Sequence, residues 1–186
     1  MDYLLYVLLG IGMAAACGFR VFVPFLIISI AALTGHLRLA PDFTWLGSWP
    51  ALITFGVATA LEITAYYIPW LDHLLDVAAT PAAIVAGIIV TASVVTGMSP
   101  ILRWTLATIA GGGIAAAVQL AAVALRRATT YATAGFAHPL AATLETGGSV
   151  GMSVLSLLLP IVAGLLAILL ILVAARWLLR RRARPA

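Results

Sequence analysis

Long apolar runs follow one another along this chain with little polar sequence between them: Tyr3 to Gly35, Pro50 to Pro69, Val77 to Met98, Ile101 to Leu125 and Ser149 to Leu179. A membrane-spanning helix uses about 20 apolar residues. Each run is long enough to span, and the first and last are longer than a span needs. Overall, 64% of the 186 residues are apolar and 9% are charged, against roughly 45–50% and 25% in soluble domains. Water cannot cover so much apolar surface, so the pattern excludes a soluble globular domain and a disordered chain. Cys17 is the only cysteine, which excludes an internal disulfide framework. The reading is an all-α, polytopic membrane helix bundle of five or six crossings, forming one integral membrane domain over residues 1–186.

Breaks inside the runs refine that picture. Gly18, Arg20 and Pro24 sit at the centre of the first run. Glycine loosens a helix, and proline removes a backbone donor and kinks it, so a broken first helix is expected. Residues 36–49 hold turn formers with Trp45 and Trp49 and read as an interfacial loop with an aromatic belt. Gly111, Gly112 and Gly113 stand mid-run, which implies close approach by a neighbouring helix or local unwinding. Residues 129–147 are too apolar for a free loop and too polar to face lipid. They read as a re-entrant or short crossing element.

Charge sets the orientation. All ten basic residues are arginine against six acidic residues, for a net charge of +4, and Arg176, Arg180, Arg181, Arg182 and Arg184 crowd the end. This tail (180–186) reads as an anchor on anionic headgroups at the cytoplasmic face, not as a nucleic-acid arm. The N-terminus lacks a basic n-region and reads as a retained first helix. Six crossings place both termini inside and Arg126 and Arg127 on the cytoplasmic side. Five crossings follow if 129–147 is re-entrant. With six, the halves 1–98 and 99–179 would hold three crossings each, a 3+3 inverted repeat of the transporter kind. Cys17-Gly18-Phe19…Pro24 echoes Ala134-Gly135-Phe136…Pro139, and Leu61-Glu62 echoes Leu144-Glu145.

Intramembrane charges are the candidate functional residues. A central arginine costs at least ~2.5–3.5 kcal/mol, so it must meet a partner, a cavity or water. Arg20 is expected to pair with Glu62 or Glu145. Thr130 and His138 of the small-residue segment add a hydroxyl and an imidazole to the same solute or ion pathway. Asp72, His73 and Asp76 form an interfacial acidic cluster. Asp72 and Asp76 share a helix face, but three ligands from one short stretch read as a solvated turn, and no metal or cofactor is expected. Gly147 and Gly151 make a small-xxx-small pair, either an internal contact or a homodimer face. The chain carries no zincin motif, phosphate loop or nucleophile elbow, which argues against an enzyme.

Several of these pieces together resemble an uncharacterised family of small bacterial inner-membrane proteins known only as a domain of unknown function. They are Gly18-Phe19-Arg20-Val21-Phe22-Val23-Pro24, Glu62, Ile68-Pro69-Trp70-Leu71-Asp72, Asp76 and Pro81, then Arg127, Thr130, Gly135, Pro139 and Glu145. Tyr66-Tyr67 stand where the family often has an acidic–basic pair. The resemblance implies a compact helical membrane protein and supplies no activity. From the residues, the expectation is a small transporter or channel for an ion or small charged solute, with proton coupling through a glutamate. Its site would lie near the bilayer midplane, lined by Arg20, Glu62 and Glu145. The alternatives are a scaffold or accessory subunit whose buried ion pair only fixes packing, and a lipid-handling protein acting at the Asp72-His73-Asp76 hinge.

Overall fold

The structure, a computed structural model, describes residues 2–65, 69–133 and 138–182. Among the described residues the protein is all-helical. Helix α1 runs over Asp2–Cys17, α2 over Phe22–Leu33, a short 3-10 helix over Pro41–Gly47, and α3 over Trp49–Ala65. Then come α4 (Pro69–Val94), α5 (Pro100–Leu106), a π-helical segment (Ala107–Gly112), α6 (Gly113–Thr133), α7 (His138–Leu158) and α8 (Pro160–Arg182).

The first run breaks where the sequence places the break, at residues 18–21, but it does not continue onward as one rod. It folds back. At the start of α1, Tyr3 lies against Gly97, just past the end of α4, and further along the Thr91 hydroxyl donates to the Gly10 carbonyl at 3.2 Å. At the other end of the run, Gly47 packs on Ala32, and the Ala40 N–H donates to the Ser93 carbonyl at 2.8 Å. Both ends of 3–35 therefore sit beside the C-terminal end of α4. The 16 residues of α1 carry the chain roughly 24 Å along the bundle, and α2 brings it back. Gly35 (φ +78°) closes α2: the His36 N–H bonds the Ala31 carbonyl and the Gly35 N–H bonds the Ala32 carbonyl, capping the helix end.

The counting argument for a 3+3 repeat took 3–35 as a single crossing, so the hairpin removes its basis, and the structure gives the repeat no support. Two other boundaries shift. Residues 129–133 end α6 and 138–147 open α7, while residues 134–137 of the expected re-entrant or short crossing element lie outside the described residues. The expected single run 149–179 divides at Leu159 because Pro160 has no N–H to continue the ladder.

The three glycines behave as expected in part. Gly111 and Gly112 lie in the π segment, where an added Cβ on Gly87 of α4 would meet the Gly111 carbonyl oxygen at 2.7 Å. Backbone presses on backbone there, which only glycine allows on both sides. Gly113, by contrast, faces open space.

Burial is sorted by size and polarity in an unusual way. The interior is rich in Ala, Ser and Thr and includes Arg20, Arg103, Arg126 and Glu145, while Ile53, Leu61, Ile101, Ile109, Leu144 and Leu158 are exposed. The rod Pro100–Arg126 is long and apolar enough to cross a membrane, and Tyr3–Cys17, Phe22–Leu33, Ala78–Val94 and Pro160–Val173 are shorter apolar helices.

Candidate functional site: the tip of the first hairpin

At the tip, just past the end of α1, Gly18 is pressed against α6. An added Cβ there would meet Val118 at 2.6 Å and the Ala115 carbonyl at 2.8 Å. The Arg20 N–H still bonds back to the Ala16 carbonyl at 3.1 Å, and the chain then turns into α2. A helix start leaves N–H groups without intrahelical partners. The α2 cap residue is Val21, whose side chain cannot accept a bond. Glu62 of α3 does so in its place, its carboxylate accepting the Val21 N–H at 2.7 Å and the Phe22 N–H at 3.0 Å. A carboxylate on the positive end of a helix is favourable in charge as well as hydrogen bonding.

Arg20 is 1% exposed and reaches α7. Its Nε donates to Thr146 Oγ1 at 3.1 Å and its Nη2 to the Ala142 carbonyl at 2.9 Å. Glu145 Oε2 lies 3.9 Å from the same Nη2. One turn on, the Ser149 hydroxyl donates to the Ala16 carbonyl at 3.0 Å, so α7 grips the hairpin on both sides of its tip.

Glu145 has a second arginine. Arg126 of α6 binds it with both ends of the guanidinium fork, Nε to Oε1 at 3.1 Å and Nη2 to Oε2 at 2.5 Å. Both side chains are buried. One carboxylate thus stands between two guanidiniums from different elements.

The structure therefore brings Arg20 and Glu145 together and gives Glu62 a different task, on backbone rather than on Arg20. Arg126, which with Arg127 serves the sequence reading only to orient the chain (inside with six crossings, outside with five), is the residue that reading misses. A signal was present. Arg126 falls on the helix stripe of Ala115, Val118, Gln119 and Ala122, all buried, whereas Arg127 is one residue off it. Asp72, His73 and Asp76 lie along the first turns of α4, Thr130 near the end of α6 and His138 at the start of α7. Their side chains lie outside the described residues. Among the described residues no group of three His, Cys, Asp or Glu could hold a metal ion.

Clefts open on either side of the tip. On the Phe19 side, a cleft of about 210 Å³ is bounded by Arg126, Glu145, Leu125 and Leu144. It adjoins an apolar cleft of about 280 Å³ between α6 and α8, with Phe19, Ala122 and Leu125 common to both. On the Phe22 side, a cleft of about 380 Å³ between α2, α3 and α4 has Glu62 in an otherwise apolar wall.

A family described as "Domain of unknown function (DUF4126)" matches residues 7–181. No curated protein matches the chain, and no solved structure does.

Proposed function

The chain belongs to this family of unknown function, and on that premise we propose that it is a multi-pass inner-membrane protein that carries a small charged solute through the hairpin-tip site. In this reading α3, α4, the α5–α6 rod, α7 and α8 make five crossings. The α1–α2 hairpin dips in from one face and returns to it. The arginine tail lies in the cytoplasm, which puts the Arg126 end of α6 on the same side and leaves Arg38 and Arg103 at the other, in keeping with the positive-inside bias. Support comes from the sorting of residues, with large aliphatics outward and small and polar residues inward. Lipid is the solvent in which that arrangement is stable, since polar groups must then be satisfied inside the protein.

One observation carries the transport reading: Glu145 is shared by Arg126 and Arg20. An ion pair with two alternative partners can change partners when a charged solute arrives, without leaving any charge bare. Glu62, facing its own cleft, is the group that would exchange a proton. The test is flux into proteoliposomes, using labelled inorganic phosphate and an internal pH dye. A flux above that of empty vesicles that falls about tenfold or more in Glu145→Gln, as loss of a charged contact of ~1.4 kcal/mol or more would give, is the expected result. Flux equal to that of empty vesicles for both probes refutes the reading for those solutes. Unchanged flux in Glu145→Gln removes the cluster from the mechanism.

A second reading is favoured by one particular feature. Both oxygens of Glu62 are committed to backbone N–H groups, which is the behaviour of a structural cap. If the whole tip is such a lock, the protein is a scaffold or accessory subunit. Glu62→Ala would then lower thermal stability while leaving both fluxes at the empty-vesicle level.

A further inference from the structure

The two clefts on the Phe19 side adjoin across Phe19, Ala122 and Leu125 and differ in chemistry. The inner one holds the Arg126–Glu145 pair, and the outer one is walled by Ala117, Ala121, Leu170 and Ile171. Together the two volumes fall within the roughly 300–1,000 Å³ of ordinary ligand pockets. The rim residues Leu125, Leu140 and Leu144 are exposed, so the clefts open sideways, toward what would be lipid. An inorganic ion has no use for the apolar part, and a neutral hydrocarbon has none for the guanidinium.

We propose that the adjoining clefts bind one amphiphile with an anionic head, its head on Arg126 and its chain in the groove between α6 and α8. The partner geometry selects the sign of the head. An incoming anion takes the place of Glu145 on the Arg126 fork, and Glu145, already 3.9 Å from Arg20 Nη2, moves over to that guanidinium. A cationic head would instead have to draw Glu145 away from both arginines, leaving two buried guanidiniums without their shared carboxylate. Phe19 adjoins Arg20 in the chain and forms the wall common to both clefts, so occupancy of the groove bears directly on the hairpin tip. Binding stands without transport. That this amphiphile is also the carried solute rests on the reading above.

The experiment measures binding and not flux. The full-length protein in detergent is titrated with three probes and read by native mass spectrometry. They are oleoyl lysophosphatidylglycerol, monoolein (the same chain without phosphate) and glycerol 3-phosphate (the head without a chain). The lysolipid is expected to bind one to one and about tenfold or more tighter than either fragment, since charge and apolar burial act together. Replacing the pair, Arg126→Gln with Glu145→Gln, removes the head-binding charge while Arg20 keeps its bonds to Thr146 and the Ala142 carbonyl, and should bring the lysolipid down to the level of monoolein. Leu170→Trp, on the exposed wall of α8 and away from the charges, should also weaken it about tenfold by filling the groove. Monoolein binding as tightly as the lysolipid overturns the proposal in favour of ordinary lipid contact. Glycerol 3-phosphate doing so overturns it in favour of a free-phosphate site. Lysolipid affinity untouched by both variants overturns it outright.

Discussion

The protein holds its arginines in two contrasting ways, at opposite ends of the bundle. At the hairpin tip, Arg20, Glu145 and Arg126 are all buried, with side chains only 1%, 10% and 4% exposed. By the 3-10 helix, Arg103 is as deeply buried, but its carboxylate partner Asp42 is 68% exposed. Arg103 also lies over the Phe43 ring at 5.8 Å, and Phe43 touches Trp104. The first arrangement has withdrawn every charge from water and depends on internal partners. The second keeps one partner solvated and leans on an aromatic shelf. A desolvated pair is costly to break on one side, whereas a solvated partner contributes little. The tip is therefore where substitutions should matter most, and the Asp42 latch is where they should matter least.

The comparison can be broken in order of expected effect. Glu145→Ala takes the shared carboxylate from two buried guanidiniums and should lower stability by about 3–5 kcal/mol, read as a large drop in thermal midpoint in detergent. Arg126→Met with Glu145→Met should recover part of that loss, because one buried guanidinium leaves with the carboxylate while Arg20 keeps its bonds to Thr146 and the Ala142 carbonyl. If the double variant is as unstable as the single, the cluster is more than an ion pair. Gly87→Val forces a side chain against the Gly111 carbonyl and should cost about 1–3 kcal/mol through overpacking. Glu62→Ala removes the cap of α2 and should cost about 0.5–2 kcal/mol, with Glu62→Gln milder because an acceptor oxygen remains. Asp42→Asn should change the midpoint least, by less than about 1 kcal/mol given its exposure. An Asp42 effect equal to that of Glu145 would abolish the contrast.

Part of this was legible in the sequence. Arg20 had to be satisfied internally because it lies mid-run, and Glu145 was one of its two nominated partners. The break at Gly18 followed from glycine and Pro24. The fold-back did not, because a break in a helix does not say where the next segment points. That direction is set by tertiary packing: α2 lies chiefly against α3, the 3-10 helix and α7, and Tyr3 and Ala40 both come to the C-terminal end of α4. Glu62 was read as a counter-ion because its charge was visible. Its backbone bonds were not, since the N–H groups it caps exist only once α2 begins at residue 22. Arg126 was assigned by its neighbour Arg127, although only the helix face on which each falls separates them.

From the sequence alone it follows that the chain is helical and apolar, and that its few mid-run charges need partners. These are local properties, written in composition and in the cost of placing each residue in hydrocarbon. Which carboxylate meets which guanidinium, and that one glutamate serves two arginines while another serves bare N–H groups, was decided only by the tertiary structure. Those choices depend on helix faces and orphaned backbone groups brought together from 19 residues apart, as in Arg126 with Glu145, to 122 residues apart, as in Arg20 with Ala142. Nothing in the spacing along the chain records them.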